Sequence, residues 1–195
     1  MKVIVGLGNP GHTFHDTRHN LGFAVIDLLV QRHRVNVDQR LVSTDGGRPA
    51  AVYGDFELDG QAVRLLMPLT MMNESGDAMR VLDLPSRQDL LIVCDDVNLP
   101  LGRLRLRPEG SGGGHHGLTS CLEALGAETV PRLRIGVGTT PLPRDLEEFV
   151  LSRFTPQERP VIRDAVARAM AACEQWVRDG LEKAMSEYNA AQESA

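Results

Sequence analysis

The segment Val3–Gly22, VIVGLGNPGHTFHDTRHNLG, decides how the rest of the chain is read. Gly6, Gly8 and Gly11 fall on the G-x-G-x-x-G spacing of a dinucleotide-binding turn, which is weak evidence by itself in a chain with 19 glycines. In a dinucleotide fold the helix begins inside the glycine motif, so that its first amides hold the pyrophosphate. Here apolar periodicity resumes only at Leu21, behind the polar run HTFHDTRHN. That fold also places an acidic residue about 20 residues on, at the end of a second strand. Asp27 has the spacing but lies within the helix expected over Leu21–Val30, where apolar residues recur at 21, 25, 28 and 29. The glycines therefore predict a sharp turn at a strand end. That turn delivers Asn9-Pro10, and then Thr17-Arg18-His19-Asn20, to the carboxyl edge of a sheet, where open α/β folds build their sites.

Working outward, Lys2–Gly6 reads as a buried first strand, and AVYGDFELDGQAVRLLMP as two strands joined at Asp59-Gly60, a favourable hairpin turn. Thr70 predicts the cap of a helix running to about Leu82, and Ser86 precedes the buried strand LLIVC. An Arg/Leu strand, a glycine-rich loop, a helix near Leu118–Leu125 and the strand LRIGVG follow. From Thr155, with Pro156 and Glu158 behind it, a capped helical region carries apolar Val161, Ile162, Ala165, Val166, Ala169 and Met170. The expected class is α/β: a single domain over residues 1–190 with a mixed, twisted β-sheet flanked by helices, a C-terminal helical segment, and a frayed tail at 191–195.

Composition narrows the function classes. At 195 residues, 42% hydrophobic and 24% charged, the chain is globular in character and has no apolar run of membrane-spanning length. No signal-peptide pattern follows the Met-Lys start. The 3 cysteines, Cys94, Cys121 and Cys173, form no C-x-x-C pair, which fits a reducing cytoplasm better than a disulfide framework or a zinc site. Net charge is −5, so a nucleic acid would have to be met by a local patch. LGRLRLRPEG supplies one: Arg103, Arg105 and Arg107 alternate with leucines, so an extended strand sends the three guanidinium groups to one face. VPRLRIGVG repeats the device with Arg132 and Arg134. Such alternation is also ordinary patterning for half-buried strands and gains functional meaning only beside a reaction centre.

Four chemistries can be assembled from the polar residues. His12, His15 and His19 have a metal-like H-x-x-H-x-x-x-H spacing, but behind Pro10-Gly11 in a loop that spacing fixes no ligand geometry. Cys94 adjoins Asp95, yet strand neighbours point to opposite faces, so Cys94 reads as a small core residue. The loop GSGGGHHGL lacks the Lys-Ser/Thr ending of a P-loop and reads as a flexible rim. The fourth is general-base hydrolysis. An imidazole needs a carboxylate at one ring nitrogen and a water at the other, and carboxamides can donate to a carbonyl oxygen as it gains charge. His19, Asp95 or Asp96, Asn9 and Asn73 supply that set. Taken singly, each has a plainer reading as a turn or capping residue.

The blocks VGLGNPG, TRHNLGF, LTMMNESG, CDDVNLPLGRLRLR, GGGHHGL and RLRIGVG, in this order and ending in WVRDGLEKAM, resemble bacterial peptidyl-tRNA hydrolase over nearly the whole chain. The resemblance implies a cofactor-free, metal-free, cytoplasmic and usually monomeric esterase that needs no protein partner. It would cleave the ester between a peptide and the tRNA ribose, recycling tRNA from abandoned translation. By position it implies His19 as catalytic base, Asp95 as its orienting carboxylate, and Asn9 and Asn73 as carboxamides that position the peptidyl group. It also implies Arg107 and Arg134, assisted by Arg105, as contacts to the tRNA phosphate end; such contacts position a substrate without reading its sequence. Two departures stand out. His116 replaces an asparagine usual in the glycine-rich loop and brings a group that titrates near neutral pH; Phe14 replaces a tyrosine at the cleft rim. They keep in view a non-catalytic RNA-binding paralogue of the same fold.

Overall fold

Val3, Ile4 and Val5 are fully buried because strand β1 (Lys2–Gly6) runs along the middle of the sheet and has a layer of helices over each of its faces. The computed structural model describes residues 1–43, 47–84 and 86–190. Its sheet contains β2 (Gln39–Val42), β3 (Pro49–Leu58), β4 (Gln61–Pro68), β5 (Leu90–Pro100), β6 (Leu104–Arg107) and β7 (Arg132–Gly138), in the order β2-β3-β4-β1-β5-β7-β6. The inner four, β4, β1, β5 and β7, are parallel, whereas β2, β3 and β6 pair antiparallel at the flanks. The sheet is therefore mixed, as the sequence predicts. Strand order grows outward from β1 in both directions, and the carboxyl ends of β1 and β5 border the crevice where such sheets bind ligands.

Two-residue alternation divides the core. Ile4, Leu65, Leu91, Val93, Leu133 and Ile135 face helices α1 (Leu21–His33), α5 (Glu158–Asp179) and α6 (Leu181–Ala190). Val3, Val5, Leu66, Leu90, Ile92 and Cys94 face α2 (Gly76–Arg80) and α3 (His116–Leu125). Each fully buried aliphatic side chain in these layers is worth about 1.5–3 kcal/mol relative to exposure. The β1–α1 crossing is closer than side chains allow: a Cβ on Gly6 would come within 2.3 Å of the Gly22 carbonyl oxygen, and one on Gly22 within 2.3 Å of the Leu7 nitrogen. The first glycine of the apparent dinucleotide motif thus serves a backbone-to-backbone contact, and α1 begins ten residues after Gly11, as its delayed periodicity predicts.

Other local expectations have the outcomes their chemistry dictates. Asp59 and Gly60 take φ of 51° and 81°, the left-handed pair a two-residue hairpin needs. Thr155 and Glu158 form a reciprocal capping box, the Thr155 N–H donating to Glu158 Oε2 at 2.8 Å and the Glu158 N–H to Thr155 Oγ1 at 3.3 Å. The helix expected from Thr70 to Leu82 is instead a 3-10 turn at Met72–Glu74 followed by the short α2. Thr70 Oγ1 donates to the Glu74 carbonyl and so caps no amide. Strand β2, the 3-10 turns at His12–Phe14, Arg18–Asn20 and Arg87–Asp89, and helix α4 (Leu146–Leu151) are additions. The tail expected to fray at 191–195 lies outside the described residues. Among the described residues no helix is long and apolar enough to cross a membrane.

Candidate active site

The turn after β1, the 3-10 turn Arg18–Asn20, the middle of β5 just beyond its last residue paired with β1, and the start of α3 meet at the carboxyl edge of β1. Asn9 is buried and cross-linked to Asn20: its N–H donates to Asn20 Oδ1 and its carbonyl accepts from Asn20 Nδ2, both at 2.9 Å. Asn9 Oδ1 accepts from the Met72 N–H at 2.7 Å, which fixes the amide orientation and leaves the NH2 group as the donor for a ligand. The same bond brings Met72 and its neighbour Asn73, which is exposed, to the turn.

Asp95 is 2% exposed and receives two imidazoles on one oxygen: His19 Nδ1 lies 2.9 Å and His115 Nε2 3.0 Å from its Oδ1. The rings stand 4.6 Å apart. His115 Nδ1 accepts the Leu118 N–H at 3.1 Å, so His115 is a neutral ring with its proton on Nε2, donated to Asp95. His115 thereby caps α3 and holds the carboxylate at once. Donation from the other side by His19 Nδ1 leaves His19 Nε2 with its lone pair outward, the arrangement a proton acceptor requires. Burial alone would raise the Asp95 pKa, but the His115 and His19 contacts outweigh it and hold the carboxyl well below the usual carboxylate range.

Asp96 does not share this work. It projects to the opposite face of β5, where its Oδ1 accepts the Asn98 N–H at 2.9 Å and its Oδ2 lies 2.8 Å from Arg134 NH2. That approach is an ion pair outside directed hydrogen-bond geometry, since no N–H points at Oδ2. In the β6–β7 register Arg105 opposes Arg134 and Arg107 opposes Arg132. Four of the five arginines thus share the α3 side of the sheet, but Arg132 is not part of a surface patch. It is 2% exposed and donates to the carbonyls of Val130, Gly110, Ser111 and Glu128, which fastens the start of the glycine-rich loop. Donors satisfied in this way offset the cost of burying the guanidinium. Arg105 is half-buried and Arg107 exposed.

Phe14 is half-buried in the first 3-10 turn, and His116 is exposed at the first position of α3 with no hydrogen bond among the described residues. His12 and His15 are exposed, and His15 pairs with Asp16 at 3.2 Å, so the H-x-x-H-x-x-x-H spacing assembles no cluster. Among the described residues the group able to hold a metal ion is His19, Asp95 and His115, with ligand atoms within 4.8 Å of one another. Their mutual hydrogen bonds already account for that convergence. Burial pushes the Cys94 thiol far up, as befits a core residue. His115, Arg18 and Asn20 lie in segments that the sequence places at the site, but residue type and spacing assign none of the three a role there. The signal for His115 was its place one residue before a helix, where an acceptor side chain caps.

An imidazole held at one nitrogen by a buried carboxylate, with the other nitrogen left as a lone-pair base at the carboxyl edge of an α/β sheet, is the arrangement a general-base hydrolase uses. The family model described as peptidyl-tRNA hydrolase matches residues 3–195, and the chain belongs to that family. It is 43% identical to the peptidyl-tRNA hydrolase of Roseiflexus sp. over 97% of this chain and 86% of the relative. With that of Bacillus subtilis the identity is 39%, over 97% and 99%. The crystal structure of peptidyl-tRNA hydrolase from Acinetobacter baumannii superposes with a TM-score of 0.82 at 29% identity, covering 97% of this chain and 95% of the other. A peptidyl-tRNA hydrolase in complex with N-propanol gives a TM-score of 0.84 at 28% identity and the same coverage.

Proposed function

We propose that this hydrolase cleaves the ester joining a peptide's carboxyl terminus to the tRNA ribose, acting in the cytoplasm as a monomer without cofactor, metal or protein partner. The observation that carries the reading is the pair of imidazoles on Asp95 Oδ1, which leaves His19 Nε2 as the free base. A water bound at Nε2 loses its proton to His19 as its oxygen attacks the ester carbonyl carbon. The imidazolium so formed is stabilised by Asp95. The carbonyl oxygen gains charge and accepts hydrogen bonds from the carboxamides of Asn9 and Asn73. Collapse breaks the bond to the ribose oxygen, which takes the proton back from His19, so peptide acid and free tRNA leave and the base is restored. Phe14 and His116 contribute to binding the substrate, and Arg107 and Arg134, with Arg105 beside them, receive the phosphate end of the tRNA.

The test is incubation, with EDTA present, with N-acetyl-aminoacyl-tRNA and free aminoacyl-tRNA in parallel. Release from the blocked substrate alone is expected, and His19→Ala should slow it at least ~100-fold, the scale of a lost general base. Binding without release would overturn the reading in favour of an RNA-binding role, and a folded His19→Ala protein with near-parental turnover would remove His19 from it.

A further inference from the structure

The residue next to the candidate base is one of the most heavily constrained side chains in the protein, and nothing in the proposed reaction uses it. Arg18 is 4% exposed. Its NH2 lies 3.0 and 2.8 Å from the two carboxylate oxygens of Glu158, and its Nε donates to Ser152 Oγ at 3.3 Å. Its guanidinium stacks on Phe149 at 4.4 Å and Phe154 at 4.7 Å. The backbone joins in: the Arg18 N–H donates to the Ser152 carbonyl at 3.1 Å, and Thr17 forms an isolated antiparallel bridge with Arg153.

We infer that the Arg18–Glu158 pair is the positioning device of the base, setting the backbone of the 3-10 turn so that His19 Nδ1 meets Asp95. The inference rests on the reading of His19 as base. Residues 17–20 belong to neither the sheet nor α1. They are held on one side by the Asn20–Asn9 cross-link and on the other by the α4–α5 corner through Arg18. Glu158 is itself immobilised, since its Oε2 also accepts the Thr155 N–H at 2.8 Å in the capping box. Arg18 and Glu158 therefore transmit the position of the α5 amino terminus to the ring one residue away. A guanidinium whose NH2 is shared by both Glu158 oxygens, whose Nε is held by Ser152 and which lies over two aromatic rings is fixed in orientation as well as distance, which an exposed ion pair is not. Arg18 NH1 is buried without a partner. The side chain is thus placed for its bonds to Glu158 and Ser152 at the expense of both NH1 donors.

The separating variant is Glu158→Gln. A capping box accepts glutamine at this position, so the helix start is kept while the charge that orients Arg18 is lost. The expected result is a fall in kcat of roughly 10-fold or more with KM for N-acetyl-aminoacyl-tRNA within about 2-fold, the pattern of an interaction that matters at the reacting centre and not in substrate binding. The downfield proton resonance of the His19 Nδ1–H bonded to Asp95 should broaden or shift. Arg18→Met, which keeps packing between Phe149 and Phe154, should reproduce both effects, and the double variant should be no worse than either single one. Folded variants with parental kcat and an unchanged resonance would overturn the inference. A kcat loss that tracks lowered Tm, with the resonance intact, would overturn it equally, because it would reduce the pair to scaffolding. If His19→Ala itself retains turnover, the reading of the base fails instead, and the two failures are told apart by that control.

Discussion

Replacing Asp95 by Asn isolates the charge of the carboxylate from its shape. In serine hydrolases the equivalent change lets the ring take the wrong tautomer. Here His115 prevents that outcome. With His115 Nδ1 committed to the Leu118 N–H, its Nε2–H must find an acceptor, so the carboxamide of the variant turns its oxygen to the place of Oδ1 and also receives His19 Nδ1–H. What is lost is the attraction between the carboxylate and the imidazolium that forms as water is deprotonated. A hydrogen bond to a charged group exceeds a neutral one by about 1 kcal/mol, which sets the floor. Coulomb attraction across the 2.9 Å contact at an effective dielectric of about 20 sets a ceiling near ~6 kcal/mol. Single-turnover release of the N-acetyl-aminoacyl group at saturating enzyme should therefore slow between roughly 5-fold and roughly 25,000-fold, with substrate affinity unchanged. The ratio of parental to variant rate should stay flat with pH from neutrality down to mild acid, because Asp95 is held well below the usual range and remains ionised. The sign for stability follows: a carboxyl with a depressed folded pKa stabilises above its unfolded value, about 3.9, and that contribution disappears as pH falls through the folded value. A rate within about 3-fold of the parent in folded Asp95→Asn protein would refute the assignment of Asp95.

Three further outcomes are expected. Charge reversal at Arg107 or Arg134 should raise KM for the tRNA substrate and lessen its salt dependence by about one unit in the log–log slope, measured by initial rates across a salt series; an unchanged slope would remove the residue from the footprint. All three cysteines are buried, with Cys121 pushed up to about 12 and Cys94 and Cys173 also raised by burial, so none should react with a thiol reagent at pH 8 until denaturant is added. Gly22→Ala should destabilise by more than ~3 kcal/mol in denaturant melts, because its Cβ would sit 2.3 Å from the Leu7 nitrogen and 2.4 Å from the Val93 oxygen, both backbone atoms that cannot move aside cheaply.

The features legible in the sequence were those coded by short-range chemistry. The Asp59-Gly60 hairpin, the Thr155/Glu158 box and the delayed start of α1 each depend on residues within four positions of one another. The region after Thr70 read as a longer helix because its apolar spacing suits one, yet Ser75 and Gly76 are buried against α3, where Ser120 Oγ takes the Gly76 N–H at 3.0 Å, and the packing divides the segment. Alternation correctly put the arginines of β6 and β7 on one face but could not show that Arg132 is buried, since period two names a face and says nothing of what covers it. The family resemblance drew attention to His116 as the departure, while the ring that reaches Asp95 is its neighbour His115. Only the three-dimensional approach of α3 to Asp95 on β5 distinguishes them. Arg18 was hidden for the same reason: its partner Glu158 is 140 residues away.

The arginines of the β6–β7 edge have a consequence for how the enzyme meets a substrate larger than itself. The chain carries a net charge of −5, whereas Arg105, Arg107 and Arg134, the last partly balanced by Asp96, place cations on one side of one edge. As the proposed tRNA contacts, these arginines would bias the rotation of the protein during approach, before contact is made. Encounters in the wrong orientation are shed over a Debye length, about 8–10 Å at physiological salt. Selectivity for the proposed face would then be exercised partly in the association rate, and tRNAs of any sequence would experience it alike.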